Sequence, residues 1–381
     1  MATDWIWQQP DWPNFHWQAD HLAPLLRECI QAQGQLMGMA GSVGNSLSAQ
    51  SELDALLQNI VTSSAIEGEQ LNVGSVRSSL ARRLGLELVD GDKVSQRSEG
   101  LAQLMLDATQ HFAEPLTLER LLHWHEWLFP DQHTDFAARS IRVGVLRSDE
   151  PMQVVSGRLD RPTIHFEAPP RPGLEQQLKA FLDWFATSRN QPDLDPVLRA
   201  GIAHFWFVTL HPFDDGNGRL TRTITDLALA QGEAQAIRFY AMSASILDDR
   251  AGYYRVLENS QKATLDITPW LDWFLQTLLR SLRQAMVRIE SVLGKARFWQ
   301  AHRESGLTAE QTKVLNRLLD GGERGFEGGI SAAQYQAVAK VSKATATRHL
   351  AELLEKGCLK RLPGGGRSTR YQIRHPDSTD T

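Results

Sequence analysis

The sequence holds only two cysteines in 381 residues, Cys29 and Cys358, far apart and without a neighbouring histidine pair. That spacing supports neither a disulfide framework nor a zinc site, and a reducing compartment is the expectation. No uninterrupted apolar run approaches the length of a membrane span. The N-terminus MATDWIWQQPDWPNFHW also lacks a basic stretch followed by an apolar one. A soluble, cytoplasmic protein with no membrane partner is expected. Nor is there an excess of positive charge: 40 Lys and Arg against 45 Asp and Glu leave a net charge of -5, which argues against a chain that coats nucleic acid throughout. Internal repeats and long low-complexity tracts are lacking as well.

What is present describes a folded chain of two or three domains: 42% hydrophobic residues, 11 tryptophans and a length at which one core usually stops growing. Four tryptophans crowd the first 17 residues, where they are read as fastening the terminus to the core. Apolar residues then recur at three and four in HLAPLLRECIQAQGQLMGMAGSVG, in SELDALLQNIVTSSAIEG, from Arg97 to Phe112 and in LTLERLLHWHEWLF. These are amphipathic helices. His123 and His125 are two apart and face different sides, so they are read as structural rather than metal-binding. Between Phe136 and Pro172 the texture changes to Val-rich runs broken by Gly, Asp and Pro, the pattern of a β-hairpin and a Pro-rich connection.

Helical spacing returns in LEQQLKAFLDWFATS, PVLRAGIAHFWFVTLH, RLTRTITDLALAQ, around ILDDRAGYYRVLENSQ and in the long run from ITPW to ARFW. The last segment reads as three helices, the third with Ser342 as N-cap, followed by two short strands around a glycine turn. This is a winged-helix outline. From Leu307 to His375 it carries 12 Lys and Arg against 6 Asp and Glu. The expected organisation is mainly α: an N-terminal helical segment over 1–95, a helical catalytic domain with a hairpin over 96–295, and a winged helix over 300–375.

The stretch that carries chemistry is HPFDDGNGRLTR, residues 211 to 222, lying between two helical patterns. A calcium loop does not fit, because a frame from Asp214 puts Gly216 at the third ligand position, one from Asp215 puts Arg219 at the fifth, and neither supplies the twelfth-position glutamate. What fits is a tight turn opening a helix near Asn217. Its free N–H groups, the glycines and Arg219 and Arg222, three apart, describe a polyphosphate cradle. Asp215 is tolerable beside phosphate if Mg2+ lies between them, and His211 can accept a proton near neutral pH. Together these residues point to transfer of a phosphorus-containing group to a nucleophile.

His211, Phe213, Asp215, Gly216, Asn217, Gly218, Arg219 and Arg222 fill every specified place of the Fic motif, His-x-Phe-x-Asp/Glu-Gly-Asn-Gly-Arg-x-x-Arg, and the sequence resembles that family over about 116–279. The resemblance implies a helical core with a β-hairpin flap and adenylyl transfer from ATP to a Ser, Thr or Tyr hydroxyl of a target protein. On it, His211 deprotonates the acceptor, Asp215 holds Mg2+, Asn217 with the Gly216 and Gly218 backbone binds the α-phosphate, and Arg219 and Arg222 hold the β- and γ-phosphates. Phe213 anchors the loop in the core. Kinase-like members replace the second glycine of the turn, whereas Gly218 is kept here, which favours nucleotidyl transfer.

Tyr253, Tyr254 and Asn259 on the next helix are candidates for contacting adenine. Upstream, Ser63, Glu67 and Gly68 in SSAIEG match the family's inhibitory motif. The match implies that Glu67 pairs with Arg222 in place of the γ-phosphate and that Gly68 ends the inhibitory helix. The same glutamate positions a water for AMP removal in some relatives. Target backbones are expected to dock on the flap around RSDEPMQVVSG by β-augmentation. Self-modification and a homodimer are further expectations drawn from the family.

A competing reading makes the chain a DNA-binding regulator whose core senses nucleotide or modifies the regulator itself. Lys343, Thr345, Thr347 and Arg348 on the third C-terminal helix and Arg367 and Arg370 in the wing would reach DNA.

Overall fold

A computed structural model describes the chain except residues 1–4, 42–44, 88–90, 131–140, 159–160, 236–238, 263, 321–325, 327, 364–368 and 375–381. The described residues are mainly helical, as expected, and divide into two compact units, Met1–Ala285 and Met286–Thr381. The division falls inside one long helix, so the N-terminal segment and the motif-bearing segment share the first unit.

That unit contains α1 (Ala19–Gly41), α2 (Asn45–Ile66), α3 (Val73–Arg83), α4 (Gln96–Gln110), α5 (Leu118–Leu128), the hairpin β1 (Gln153–Arg158) and β2 (Arg161–Glu167), α6 (Leu174–Thr187), α7 (Pro196–Leu210), α8 (Asn217–Glu233), α9 (Met242–Asp248), α10 (Arg250–Gln261) and the start of α11 (Thr268–Ala301). Its centre is α7. Asp195 caps α7 by accepting from the Val197 N–H, Pro196 occupies the first turn where its missing donor costs nothing, and every residue from Val197 to Leu210 is buried. A helix apolar on all sides can only be a core helix. The helix that follows the loop, α8, is buried along most of its length as well.

The tryptophan-rich N-terminus is tied down in the expected manner. Trp5 packs edge-on against Phe166 of the hairpin at 5.4 Å, Trp7 donates its indole N–H to the Glu167 carbonyl at 2.7 Å, and Trp12 meets Trp206 of α7. The hairpin is antiparallel, and its register shifts between Val154 and Val155, whose partners are Phe166 and Ile164. His165 is therefore the extra residue of a β-bulge.

In the second unit, α12 (Ala309–Leu319), α13 (Ala332–Ala339) and α14 (Lys343–Glu355) are followed by the antiparallel pair β3 (Leu359–Arg361) and β4 (Tyr371–Ile373). Thr308 and Ser331 open their helices with reciprocal capping boxes, and Ser342 caps α14. Phe298, Val314, Leu315, Tyr335, Leu350, Leu353 and Ile373 form this unit's own core. Lys343, Thr347 and Arg348 are exposed on α14, and Thr345 is half-buried. Arg370 is turned back, donating to the Gly329 carbonyl at 2.9 Å, and Arg367 lies outside the described residues. No described helix is long and apolar enough to cross a membrane.

The packing of α4 on α5 depends on one glycine. A Cβ at Gly100 would lie 2.0 Å from the Trp127 carbonyl oxygen and 3.0 Å from its carbon, which are backbone atoms that cannot swing aside. Gly100→Ala is predicted to destabilise the first unit by about 1–3 kcal/mol, the usual cost of overpacking. Urea denaturation checks this, and an unchanged midpoint would contradict the close approach.

Candidate active site

The loop between α7 and α8 is held from both sides. His211 ends α7 in the left-handed conformation, φ 48°, with its N–H donating to the Phe207 carbonyl. Its ring Nδ1 lies 3.2 Å from the Val208 carbonyl, which can only accept, so Nδ1 carries the proton and Nε2 is left as the basic nitrogen. Burial pushes the imidazole below the ordinary histidine range, only partly opposed by the Val208 hydrogen bond. The neutral, proton-accepting form is thus the resting one.

Buried Arg147 fixes this turn. Its Nε donates to the His211 carbonyl at 2.8 Å, and its backbone N–H donates to the Pro212 carbonyl at 2.9 Å. Phe213 is fully buried and stacks on His125 at 4.3 Å. The His125 Nδ1 accepts from the Gly144 N–H at 3.0 Å, which requires its Nε2–H to donate to the Asp215 carbonyl at 3.1 Å. Burial drives the His125 pKa down to about 4, in keeping with that neutral tautomer. Asn217 closes the loop on itself: its Oδ1 accepts from the Phe213 N–H and its Nδ2 donates to the Phe213 carbonyl.

Gly216, φ 82°, precedes the helix without a capping side chain. A Cβ there would strike Leu128 and Phe129 at 2.7 and 2.9 Å, so only glycine fits this turn. The first N–H groups of α8 therefore open into a cleft of about 630 Å³. The cleft is lined by Glu67, His211, Asp215, Gly216, Asn217 and Gly218 together with the hairpin and α10.

The two motif arginines do not lie free in this cleft. Arg222 is 3% exposed and donates to the Ser63 hydroxyl at 2.8 Å, to the Ser63 carbonyl at 2.9 Å and to Glu67 at 2.8 Å. Arg219, equally buried, lies over the Phe129 ring and donates to both oxygens of Glu69, at 2.8 and 2.7 Å; Glu69 also pairs with Arg97. Even so, Arg222 Nη1 and Arg219 Nε and Nη2 are buried with no hydrogen-bond acceptor among the described residues, although Arg219 Nη2 lies 3.6 Å from Asp215 Oδ1 as an ion pair. Orphaned guanidinium donors beside an uncapped helix start fit an anion with several oxygens.

Glu67 covers the first turn of α8. A Cβ on Gly218 would sit 2.1 Å from its Oε1. Burial works to raise the Glu67 pKa, but Arg222 and then Arg219 outweigh it and hold the carboxyl below its ordinary range. Just before it α2 ends, where Gly68 at φ 82° donates its N–H to the Ala65 carbonyl.

A braced turn that opens a helix, a neutral histidine at its start and a carboxylate at its centre coincide in one described cleft. Residues 115–229 match the Fic/DOC family. A second match, to a domain of unknown function (DUF4172), covers residues 5–86. The chain is 26% identical over 235 residues to a protein adenylyltransferase Fic of Nematostella vectensis, covering 60% of this chain and 48% of that protein. It is 25% identical over 240 residues to one of Drosophila willistoni, covering 59% and 44%. It thus spans about half the length of the curated relatives it matches. Among solved structures, a Fic family protein from Desulfovibrio desulfuricans G20 superposes with a TM-score of 0.50 at 20% identity, over 92% of this chain and 96% of that one.

Within the Fic fold, several expected residues sit where the motif implies and others do not. The Asp215 carboxylate is 54% exposed and opens to the cleft. Asn217 braces the loop with its side chain, so its contribution to the cleft is chiefly its helix-start backbone. Tyr253 is 2% exposed with its hydroxyl 3.0 Å from His204 Nε2, a core contact. Tyr254, one position on and so about 100° round the helix, is 39% exposed at the cleft with Arg250 over its ring. Asn259 is exposed on α10 and is not brought to the cleft.

Sequence reasoning missed Glu69, whose only signal was a second acid two residues after Glu67, and Arg147, which had none. It read His125 as structural without seeing what it holds. His125→Phe keeps the stack on Phe213 but strands the Asp215 carbonyl and the Gly144 N–H, and is predicted to cost about 1–3 kcal/mol. Chemical denaturation measures that loss, and wild-type stability in the variant would remove His125 as the loop's support.

Proposed function

We propose that this chain is a protein adenylyltransferase, transferring AMP from ATP to a Ser, Thr or Tyr hydroxyl of a target protein. The observation that carries the reading is the set of orphaned Arg219 and Arg222 N–H groups beside the α8 start, on the loop headed by neutral His211. Gly216, Gly218 and the Asn217 backbone would receive the α-phosphate, and Arg219 and Arg222 the distal phosphates. His211 Nε2 would take the acceptor's proton as its oxygen bonds to the α-phosphorus and pyrophosphate leaves. Tyr254 offers a ring face for the base.

One exposed carboxylate facing a phosphate site fits Mg2+, which typically uses one or two carboxylates plus phosphate oxygens, and Asp215 would hold it. Such an ion supplies charge neutralisation between phosphates. A target strand would pair with the hairpin, placing its hydroxyl near His211.

Glu67 is read as the brake. It occupies Arg222 and the space over Gly218, so a triphosphate must displace it to bind productively. A charge-assisted pair of this kind is worth about 1.5–3 kcal/mol, or roughly a ten- to hundredfold suppression. Its role in AMP removal is a second expectation for the same carboxylate, checked by loss of AMP from a labelled target with wild type and not with Glu67→Gly. A DNA-binding role for the second unit has the exposed Lys343, Thr347 and Arg348 in its favour, and a salt-sensitive shift of duplex DNA by the full chain tests it.

Incubation with ATP and Mg2+ followed by intact-mass measurement tests the main reading. Glu67→Gly is predicted to add AMP, to itself or to an added lysate protein, roughly ten- to hundredfold faster than wild type. Glu67→Gly with His211→Ala should add none to the lysate protein, and a phosphate-sized shift would overturn the reaction class.

The pH dependence follows from the same groups. Glu67 is depressed below the carboxylate range and Arg222 raised above the arginine range. The pair's contribution is therefore fully present at neutral pH, and it is lost only as pH falls through the Glu67 pKa or rises beyond that of Arg222. Wild type should stay inhibited across the neutral range. The rate of Glu67→Gly should fall on the acid side as His211 protonates, at a pH below that of free histidine.

A further inference from the structure

Three side chains on the hairpin side of the cleft form a hydrogen-bonded chain that the adenylyl-transfer motif does not include. Ser156 of β1 lies 2.6 Å from His165 Nε2, and His165 Nδ1 lies 2.8 Å from Glu258 Oε2 on α10. A carboxylate only accepts, so Nδ1 carries a ring proton, and in the singly protonated ring the Ser156 hydroxyl donates to Nε2. Lys262 also pairs with Glu258, and its hydrogen bond, followed by that of His165, keeps the carboxyl below its ordinary range. A serine, an imidazole that can take its proton and an anion that orients the imidazole is the arrangement that activates a hydroxyl.

The backbone is built to present this chain of groups. His165 is the extra residue of the bulge opposite Val154 and Val155, and a bulge re-aims the side chain it carries. Here the side chain points to α10 instead of following the pleat. Ser156 is exposed, and Ser156, His165 and Glu258 all line the cleft that contains His211, Asp215 and Gly218. The activated hydroxyl therefore shares a chamber with the anion-binding turn.

We propose that Ser156 is an acceptor for AMP within this chain, with His165 as its base and Glu258 orienting that base. The inference rests on the adenylyl-transfer reading and names the site where the enzyme modifies itself. In the step, the Ser156 oxygen bonds to the α-phosphorus of ATP and the bond from that phosphorus to the bridging oxygen breaks. Pyrophosphate leaves with the electron pair, and the hydroxyl proton passes to His165 Nε2. The product is an AMP ester on β1. It removes the hydroxyl's donor to His165 and puts a nucleotide on the strand where a target would pair, so modification is expected to obstruct target docking.

The test is peptide mapping by tandem mass spectrometry of full-length Glu67→Gly after incubation with ATP and Mg2+. AMP is expected on Ser156, and Glu67→Gly with Ser156→Ala should lose that label. Glu67→Gly with His165→Gln should slow labelling of Ser156 by roughly a hundredfold, the range of a general base. Circular dichroism and the melting transition of each variant serve as the folding control, while the mapping itself needs no change at Ser156. AMP found on other residues or on an added protein with Ser156 unmodified would overturn the acceptor assignment and leave adenylyl transfer standing. AMP found nowhere would overturn both. Labelling of Ser156 at an unchanged rate in a folded His165→Gln variant would remove His165 as the base.

Discussion

The structure turns on one buried charge, the Arg222 guanidinium in the first turns of α8. A cation removed from water needs a partner, and leaving it without one costs several kcal/mol. The partner comes from 155 positions upstream, where α2 delivers the Ser63 hydroxyl and carbonyl and, just past its end, the Glu67 carboxylate. The same constraint explains why α2 stops there: Gly68 in the left-handed region turns the chain away once the glutamate is in place. Any other anion that takes the arginine must match what Glu67 provides. On the proposed reading, the site is therefore a competition for one cation between a built-in carboxylate and an incoming phosphate.

A competition of that kind is useful only if the turn beneath it stays put. Arg147, His125, Asn217 and Phe213 spend their polar groups on the loop's own backbone and leave few of them for a ligand. Fixed dipoles avoid reorganisation when charge develops. This division of labour accounts for the buried polar residues around the cleft. The supporting residues hold the backbone of the turn, and on the proposed reading its amides, with the two arginines, are left for the anion.

The sequence made most of the fold legible because its signals are local. Ser342 caps a helix three residues ahead, Pro196 opens one, and HPFDDGNGRLTR packs its chemistry into twelve positions whose spacing excludes a calcium loop. What could not be read depended on contacts between distant segments. His125 is one of several residues on an amphipathic helix, and only the fold brings it to the Asp215 carbonyl 90 positions away. Tyr253 and Tyr254 are adjacent, and periodicity alone does not say which one the core takes. Asn259 was reached by counting along α10, but it falls on the exposed side. The bulge at His165 depends on a register that no spacing rule reports.

The two glutamates of EGEQ are not equivalent rivals for phosphate. Glu69 pairs with both Arg219 and Arg97, so on the proposed reading it keeps a cation when a phosphate claims Arg219. Glu67 has one hydrogen-bonded cation among the described residues, Arg222, and on the proposed reading a phosphate there would take the hydrogen bond that holds its carboxylate. Like charges brought together there would repel. On that reading Glu67 would move toward solvent, and it stands just past the end of α2, next to Gly68 in the left-handed region. On the proposed reading, inhibition and its release would thus lie in the same short segment: the residue that blocks the triphosphate would also be the one a triphosphate displaces.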